Sequence, residues 1–250
     1  MESQIVSLKN KFQKIKNLGW VKSASKGNNG VGITFEKLLG IEQNELEIPD
    51  YNGIEIKTKR NQSKSYITLF SCKPEGKYYH EVERIKDTYG YPHKKYPQYK
   101  VLNNSVFANK RNKIGIKYYF KLFVCKKDNK IYLLVYSRSG NLLENNVFWD
   151  FDILREKLYR KLKIMAFVRA ISKKNKITKE EYFKYIKLEI YLLKNFDIFI
   201  DLIETGIIRV NFKLNIETKQ EKLGRIHDHG TSFDILEENL NLLYDKLDFR

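Results

Sequence analysis

The stretch Pro49-Asp-Tyr-Asn-Gly-Ile-Glu-Ile-Lys57 constrains this chain more than any other. Ile54-Glu55-Ile56-Lys57 alternates apolar and charged residues, the period-two signature of a half-buried strand. Such a strand projects Glu55 and Lys57 from one face and anchors Ile54 and Ile56 in a core on the other. Asn52-Gly53 is a strong turn dipeptide and folds the chain back so that Asp50 approaches Glu55. Hard cations such as Mg²⁺ take oxygen ligands and keep several waters, so two carboxylates beside substrate phosphate oxygens suffice to hold one. There the ion lowers the pKa of a bound water and stabilises in-line displacement at phosphorus. Lys57 would orient that water or neutralise charge growing on the phosphate. Asp50, Glu55 and Lys57 are therefore the candidate catalytic residues of a metal-dependent nuclease, with Asp50 and Glu55 as metal ligands. A solvated strand face carrying the same charges is the plain alternative.

Upstream, Lys26-Gly-Asn-Asn-Gly-Val-Gly-Ile-Thr-Phe-Glu-Lys-Leu-Leu-Gly40 reads as a glycine-rich loop entering a short helix. Phe35, Leu38 and Leu39 recur at helical spacing as a core-facing stripe, and Glu36 lies beside it, available to a neighbouring site. Gly40 suits the left-handed position that follows a helix. The loop lacks the Gly-Lys-Ser/Thr ending of a P-loop and does not match Gly-x-Gly-x-x-Gly, so no nucleotide cofactor is expected.

Lys and Arg total 47 against 30 Asp and Glu, a formal net charge of +17. That excess is the footprint of a protein that binds a polyanion, although an AT-rich coding sequence also enriches lysine. No apolar run approaches a membrane span, and Met-Glu-Ser-Gln-Ile-Val lacks the regions of a signal peptide, so a cytoplasmic protein is expected. Cys72 and Cys125 have no Cys-x-x-Cys partner and read as buried thiols of a reducing compartment.

Along the chain, helical spacing of Ile5, Leu8, Phe12 and Ile15 predicts a helix over about 2–17. Residues 65–72 read as a strand able to pair beside the Glu55 strand. Residues 73–112, rich in Tyr, Lys, Asn and Pro, read as an extended, mobile insertion facing DNA. A hairpin follows around Asp128-Asn129, then a helix over 147–162, strands over 164–171 and 182–193, and a helix over 195–205 stopped by Gly206. Adjacent hairpins alternating with helices predict an α/β (α+β) fold with a mixed sheet. The expected division is a catalytic lobe over 1–160 and a DNA-recognition lobe over 161–250, with interleaving of the two left open.

Ile208 to Asn215 alternates strictly, with Arg209, Asn211 and Lys213 on one face and Val210, Phe212 and Leu214 on the other. Thr231-Ser-Phe-Asp-Ile235 likewise sets Asp234 opposite Phe233 and Ile235. Arg, Lys and Asn read purine edges, Asp accepts from cytosine, and a two-stranded ribbon fits the major groove. A sheet with one hydrated face has the same pattern. Between these segments Arg225, His227 and His229 sit in a tight loop suited to base or phosphate contact; no third ligand at zinc spacing accompanies the histidines.

Gly30-Val-Gly-Ile-Thr-Phe-Glu36, Asp50-x₄-Glu55-x-Lys57-Thr58, Thr68-Leu-Phe70 and His227-Asp-His-Gly-Thr-Ser-Phe233 together resemble the MvaI/BcnI family of type II restriction endonucleases. The first two blocks are also similar to the mismatch-repair nicking enzyme MutH and to Sau3AI. The resemblance implies a PD-(D/E)xK, restriction-endonuclease-like fold whose two lobes form a cleft around double-stranded DNA. It implies Mg²⁺ as cofactor, Glu36 completing the acidic cluster of Asp50 and Glu55, and a monomer that nicks the strands in turn. It further implies short CCNGG-like sites of about five base pairs and a cognate DNA methyltransferase as system partner. The wet face carries Asn211, Lys213 and Asp234 where a more Arg-rich set is expected, which leaves the target sequence open. A MutH-like strand-nicking repair enzyme and a non-catalytic basic nucleic-acid-binding protein are the alternative readings.

Overall fold

The computed structural model describes residues 2–41 and 48–248. The chain forms two compact units, one from residues 1–65, 158–194 and 244–250, the other from 66–157 and 195–243. The chain thus leaves and re-enters the first unit, and the two units are interleaved segments rather than consecutive stretches meeting at 160/161.

The first unit holds a five-stranded sheet. Strand Glu181–Leu193 pairs antiparallel with Val21–Lys22, Ile164–Lys174 and Tyr244–Leu247, and Ile164–Lys174 pairs in parallel with Glu55–Arg60. In that parallel ladder Met165 lies opposite Glu55 and Phe167 opposite Lys57. Helices Glu2–Asn17 and Gly30–Leu39 supply Ile5, Leu8, Phe12, Ile15, Val31, Phe35 and Leu39 to a core shared with Ile54, Ile56, Ala166, Val168 and Ile190. The first helix has the expected span and buried stripe. In the second, Val31 and Thr34 complete the buried face while Leu38 is exposed, because a ten-residue helix turns that position away from the sheet. Gly40 closes this helix at φ 79°, and its N–H donates to Lys37 O.

The second unit holds two sheets. One runs Ile67–Ser71, Ser232–Ile235, Ile208–Ile216, Lys100–Val106, Tyr91–Pro92, with Ile226–Asp228 also on Ile208–Ile216. The other is a meander of Asn112–Ile114, Tyr118–Cys125, Lys130–Ser137 and Leu142–Asp150. Their aromatic core centres on Trp149, whose ring contacts Phe212 and Phe233 and whose Nε1–H donates to Cys72 O at 2.9 Å.

Four expectations change here. The strand at 67–71 pairs with Ser232–Ile235 instead of the Glu55 strand. Residues 73–112 are ordered: they form helix Glu81–Tyr89 and strand Lys100–Val106, which buries Val101, Leu102 and Val106 in mid-sheet. The helix expected from Val147 begins at Phe151, since Val147 and Trp149 alternate into the core as strand and Asp150 Oδ1 caps the N–H of Asp152. Cys72 is buried, but Cys125 is only half-buried; both are free thiols. The hairpin turn is where Asp128-Asn129 predicted it, with Asn129 at φ 53°. Among the described residues no helix is long and apolar enough to cross a membrane.

Candidate active site

Asn52 and Gly53 both adopt left-handed backbone, at φ 45° and 85°. Tyr51 and Ile54 close the turn with reciprocal hydrogen bonds of 3.0 and 2.8 Å. This is a two-residue type I′ hairpin, and it needs residues that tolerate positive φ at both central positions. Gly53→Ala is expected to cost about 1–2 kcal/mol through the left-handed penalty, read as a lowered urea midpoint; an unchanged midpoint would contradict the turn assignment.

The hairpin sets Asp50 against the start of the strand, where its Oδ2 accepts the Ile56 N–H at 2.8 Å. The Tyr51 hydroxyl meets Ser7 Oγ at 3.0 Å, tying the turn to the first helix. One residue along, Glu55 is only 2% exposed. Its Oε1 accepts from Lys57 Nζ at 2.7 Å and lies 3.5 Å from Lys161 Nζ, while its buried Oε2 has no hydrogen-bond partner. Burial pushes the Glu55 carboxyl up from its ordinary value, and nearby Asp50 adds to the rise; Lys57 and Lys161 oppose it. The alternation predicted for Ile54–Lys57 holds for direction, with Ile54 and Ile56 in the core, but the Glu55 face is covered as well.

Glu36 faces the same strand from its helix. A Cβ on Gly32 would lie 3.1 Å from Thr58 Oγ1 and 3.6 Å from Glu36 Oε1, so the helix approaches the strand closely there. Among the described residues no three of His, Cys, Asp and Glu gather as an ion-holding group.

In the second unit Arg209, Asn211 and Lys213 share the half-buried face of their strand, as the alternation predicted. That strand is not half of a two-stranded ribbon, because it lies inside the six-stranded sheet between Ser232–Ile235 and Lys100–Val106. Nor is the Asp234 strand wet on one side: Ser232 and Asp234 are buried. Asp234 accepts from Thr68 Oγ1 at 2.9 Å, Ser232 Oγ at 2.7 Å and Arg209 Nη2 at 3.2 Å. The Arg209 guanidinium also stacks 3.5 Å over the Tyr66 ring. Lys213 Nζ reaches Thr68 Oγ1 at 3.4 Å, and Asn211 Oδ1 accepts from Ser105 Oγ at 3.3 Å. His227 and His229 stack with centroids 4.0 Å apart, and His227 Nδ1 lies 2.7 Å from Glu217 Oε1. The Arg225 side chain is exposed in the same loop.

Residues 9–244 match the model of the MvaI/BcnI restriction endonuclease family. The chain belongs to this family. It is thus a restriction endonuclease, a site-specific deoxyribonuclease with a mixed α+β fold. Among solved structures it is similar to restriction endonuclease MvaI in complex with cognate DNA, at 30% identity and a TM-score of 0.90, covering 99% of this chain and 98% of that one. It is also similar to MvaI in the absence of DNA, at 29% identity and a TM-score of 0.62, with the same coverage. No curated protein sequence matches it.

MvaI/BcnI enzymes are restriction endonucleases, which generally use divalent metal ions. The residues present fit one: the unpartnered Glu55 Oε2 is a buried carboxylate oxygen lacking a donor, and the hairpin fixes a second carboxylate, Asp50, beside it. Lys161 was missed at the sequence level. It is one of two basic residues in the last turn of helix Phe151–Leu162, and no spacing relates it to Glu55.

Proposed function

We propose that this MvaI/BcnI family member is a Mg²⁺-dependent type II restriction enzyme that hydrolyses both strands of double-stranded DNA at a short CCNGG-like site of about five base pairs. The observation that carries the chemistry is the Glu55 carboxylate, buried with one oxygen held by two ammonium groups and the other lacking a partner. Asp50 and Glu55 would hold the ion through that oxygen and the Asp50 carboxylate. Bound there, Mg²⁺ supplies an acidified water and neutralises charge at phosphorus.

Lys57, whose Nζ donates to Glu55 Oε1, would orient the attacking water and offset charge on the non-bridging phosphate oxygens. Lys161, the second ammonium near Oε1, together with Lys57 opposes the upward shift that burial imposes on Glu55. Glu36 acts from the neighbouring helix as the outer acidic residue, beside Thr58. Arg209, Asn211, Lys213, Arg225, His227 and His229 would contact bases and phosphates, with Arg209 pre-oriented by Tyr66 and by Asp234, whose burial takes it out of the reading set. DNA bound in the structure of MvaI supports this partner, and a cognate methyltransferase would protect the host's own sites.

The test is cleavage of a mixed-sequence plasmid with Mg²⁺, comparing wild type with Lys57→Ala and Asp50→Ala and sequencing the ends. Discrete fragments, lost in both variants, are expected. Retained binding without Mg²⁺-dependent cleavage in the wild type would reject the enzyme. The family resemblance further implies a monomer that cuts the strands in turn, so open-circular DNA should accumulate before linear; its absence at limiting enzyme would favour a dimer.

A further inference from the structure

The face of the first unit's sheet that carries Glu55 and Lys57 continues into a second charged cluster. Phe167 stands opposite Lys57 on one side and Glu189 on the other, so Lys57 and Glu189 point the same way two strands apart. By the spacing of paired strands that is about 10 Å. Glu189 is buried, and three cations converge on it: Lys246 Nζ at 2.8 Å, Lys187 Nζ at 3.0 Å and Arg169 Nε at 3.7 Å. The lysine side chains remain 39% and 53% exposed while the carboxylate beneath them is 7% exposed. The same ammonium groups hold the Glu189 carboxyl below its ordinary value despite its burial, so the carboxylate is ionised, and both exposed lysine heads share its Oε1.

A single ion pair would satisfy Glu189. Gathering three cations there costs mutual repulsion, which an anion arriving from solvent would relieve. Resting on the nuclease reading above, we propose that Arg169, Lys187 and Lys246, organised by Glu189, grip the backbone of duplex DNA at phosphates flanking the scissile one. The contact is to phosphate alone, so it adds affinity and register without adding sequence preference.

The test measures binding of a random-sequence duplex by fluorescence anisotropy across a salt series without Mg²⁺. Lys187→Ala and Lys246→Ala are each expected to lower the slope of log K against log[salt] by about 0.9, the loss of one phosphate contact. Lys187→Arg and Lys246→Arg should keep the wild-type slope. Lys14→Ala removes the same charge from the exposed side of the helix covering the opposite sheet face, and should leave the slope unchanged. Unaltered slopes in both alanine variants, or an equal fall in Lys14→Ala, would overturn the grip. If the wild type cleaves but those slopes do not move, the grip alone fails. If the slopes fall but no Mg²⁺-dependent cleavage occurs, the nuclease reading alone fails.

Discussion

Glu55→Gln is expected to abolish cleavage and, at the same time, to make the protein more resistant to heat at neutral pH. The amide keeps the shape of the side chain but cannot offer an ionised oxygen to a cation, and it no longer pairs with Lys57 and Lys161. A loss of about 10²–10³-fold is the scale for removing one preorganised electrostatic group, and a ligand lost as well drives the residual rate lower still. The stability gain follows from the direction of the Glu55 shift. Its folded-state pKa lies above its unfolded value because burial disfavours the charged form. The folded protein therefore binds more protons than the unfolded chain across that window, and wild-type stability falls as pH rises through it. Gln does not titrate, so the melting-temperature advantage of the variant should widen from about pH 4 to neutrality, the range above the ordinary carboxylate value. Matched thermal melts of both proteins across that range decide the matter. A gap that narrows with rising pH, or a variant that still cuts, would contradict this account of the site.

Arg209→Ala should damage folding as severely as Glu55→Gln damages catalysis. Asp234 is 2% exposed, and Arg209 is its only charged partner among the described contacts. Truncating the arginine leaves a buried carboxylate held by the hydroxyls of Thr68 and Ser232. Breaking a buried pair from one side costs about 3–5 kcal/mol, with the lost stacking on Tyr66 included in the measured value. Replacing both residues by leucine removes the stranded charge, so Arg209→Leu with Asp234→Leu should recover much of that loss while abolishing site-specific binding. Urea midpoints of the single and double variants supply the comparison. A double variant no more stable than Arg209→Ala would show that the pair does not set the energetics here. The same arginine would then serve twice, as a brace of the sheet and as a reader of DNA.

Local signals in the sequence are legible. The stripe of Ile5, Leu8, Phe12 and Ile15, the turn at Asn52-Gly53, the hairpin at Asp128-Asn129 and the alternation of Ile208–Asn215 each depend on residues close together in the chain, and each appears in the structure. What stayed hidden depends on partners far away. The alternation of Ser232–Ile235 looks half-wet, yet strands on both sides bury it, and no local pattern records that. Lys100–Val106 became a central strand because Ile208–Ile216 pairs with it, and its Asn103-Asn104 dipeptide masks the strand signal. Lys161 reaches Glu55 by the return of the chain into the first unit, a path that spacing does not encode.

That return has a consequence for biosynthesis. Among the described residues strand Glu55–Arg60 has one ladder partner, Ile164–Lys174, and everything from Tyr66 to Lys157 is made between them. A ribosome that has translated Asp50, Glu55 and Lys57 has not yet made the strand that seats them, nor the lysine that shares the Glu55 oxygen. Long-range parallel pairing of this kind forms late. With the proposed site, the emerging polypeptide would carry the blade's charges through the whole of residues 66–157 before the strand that arms it exists.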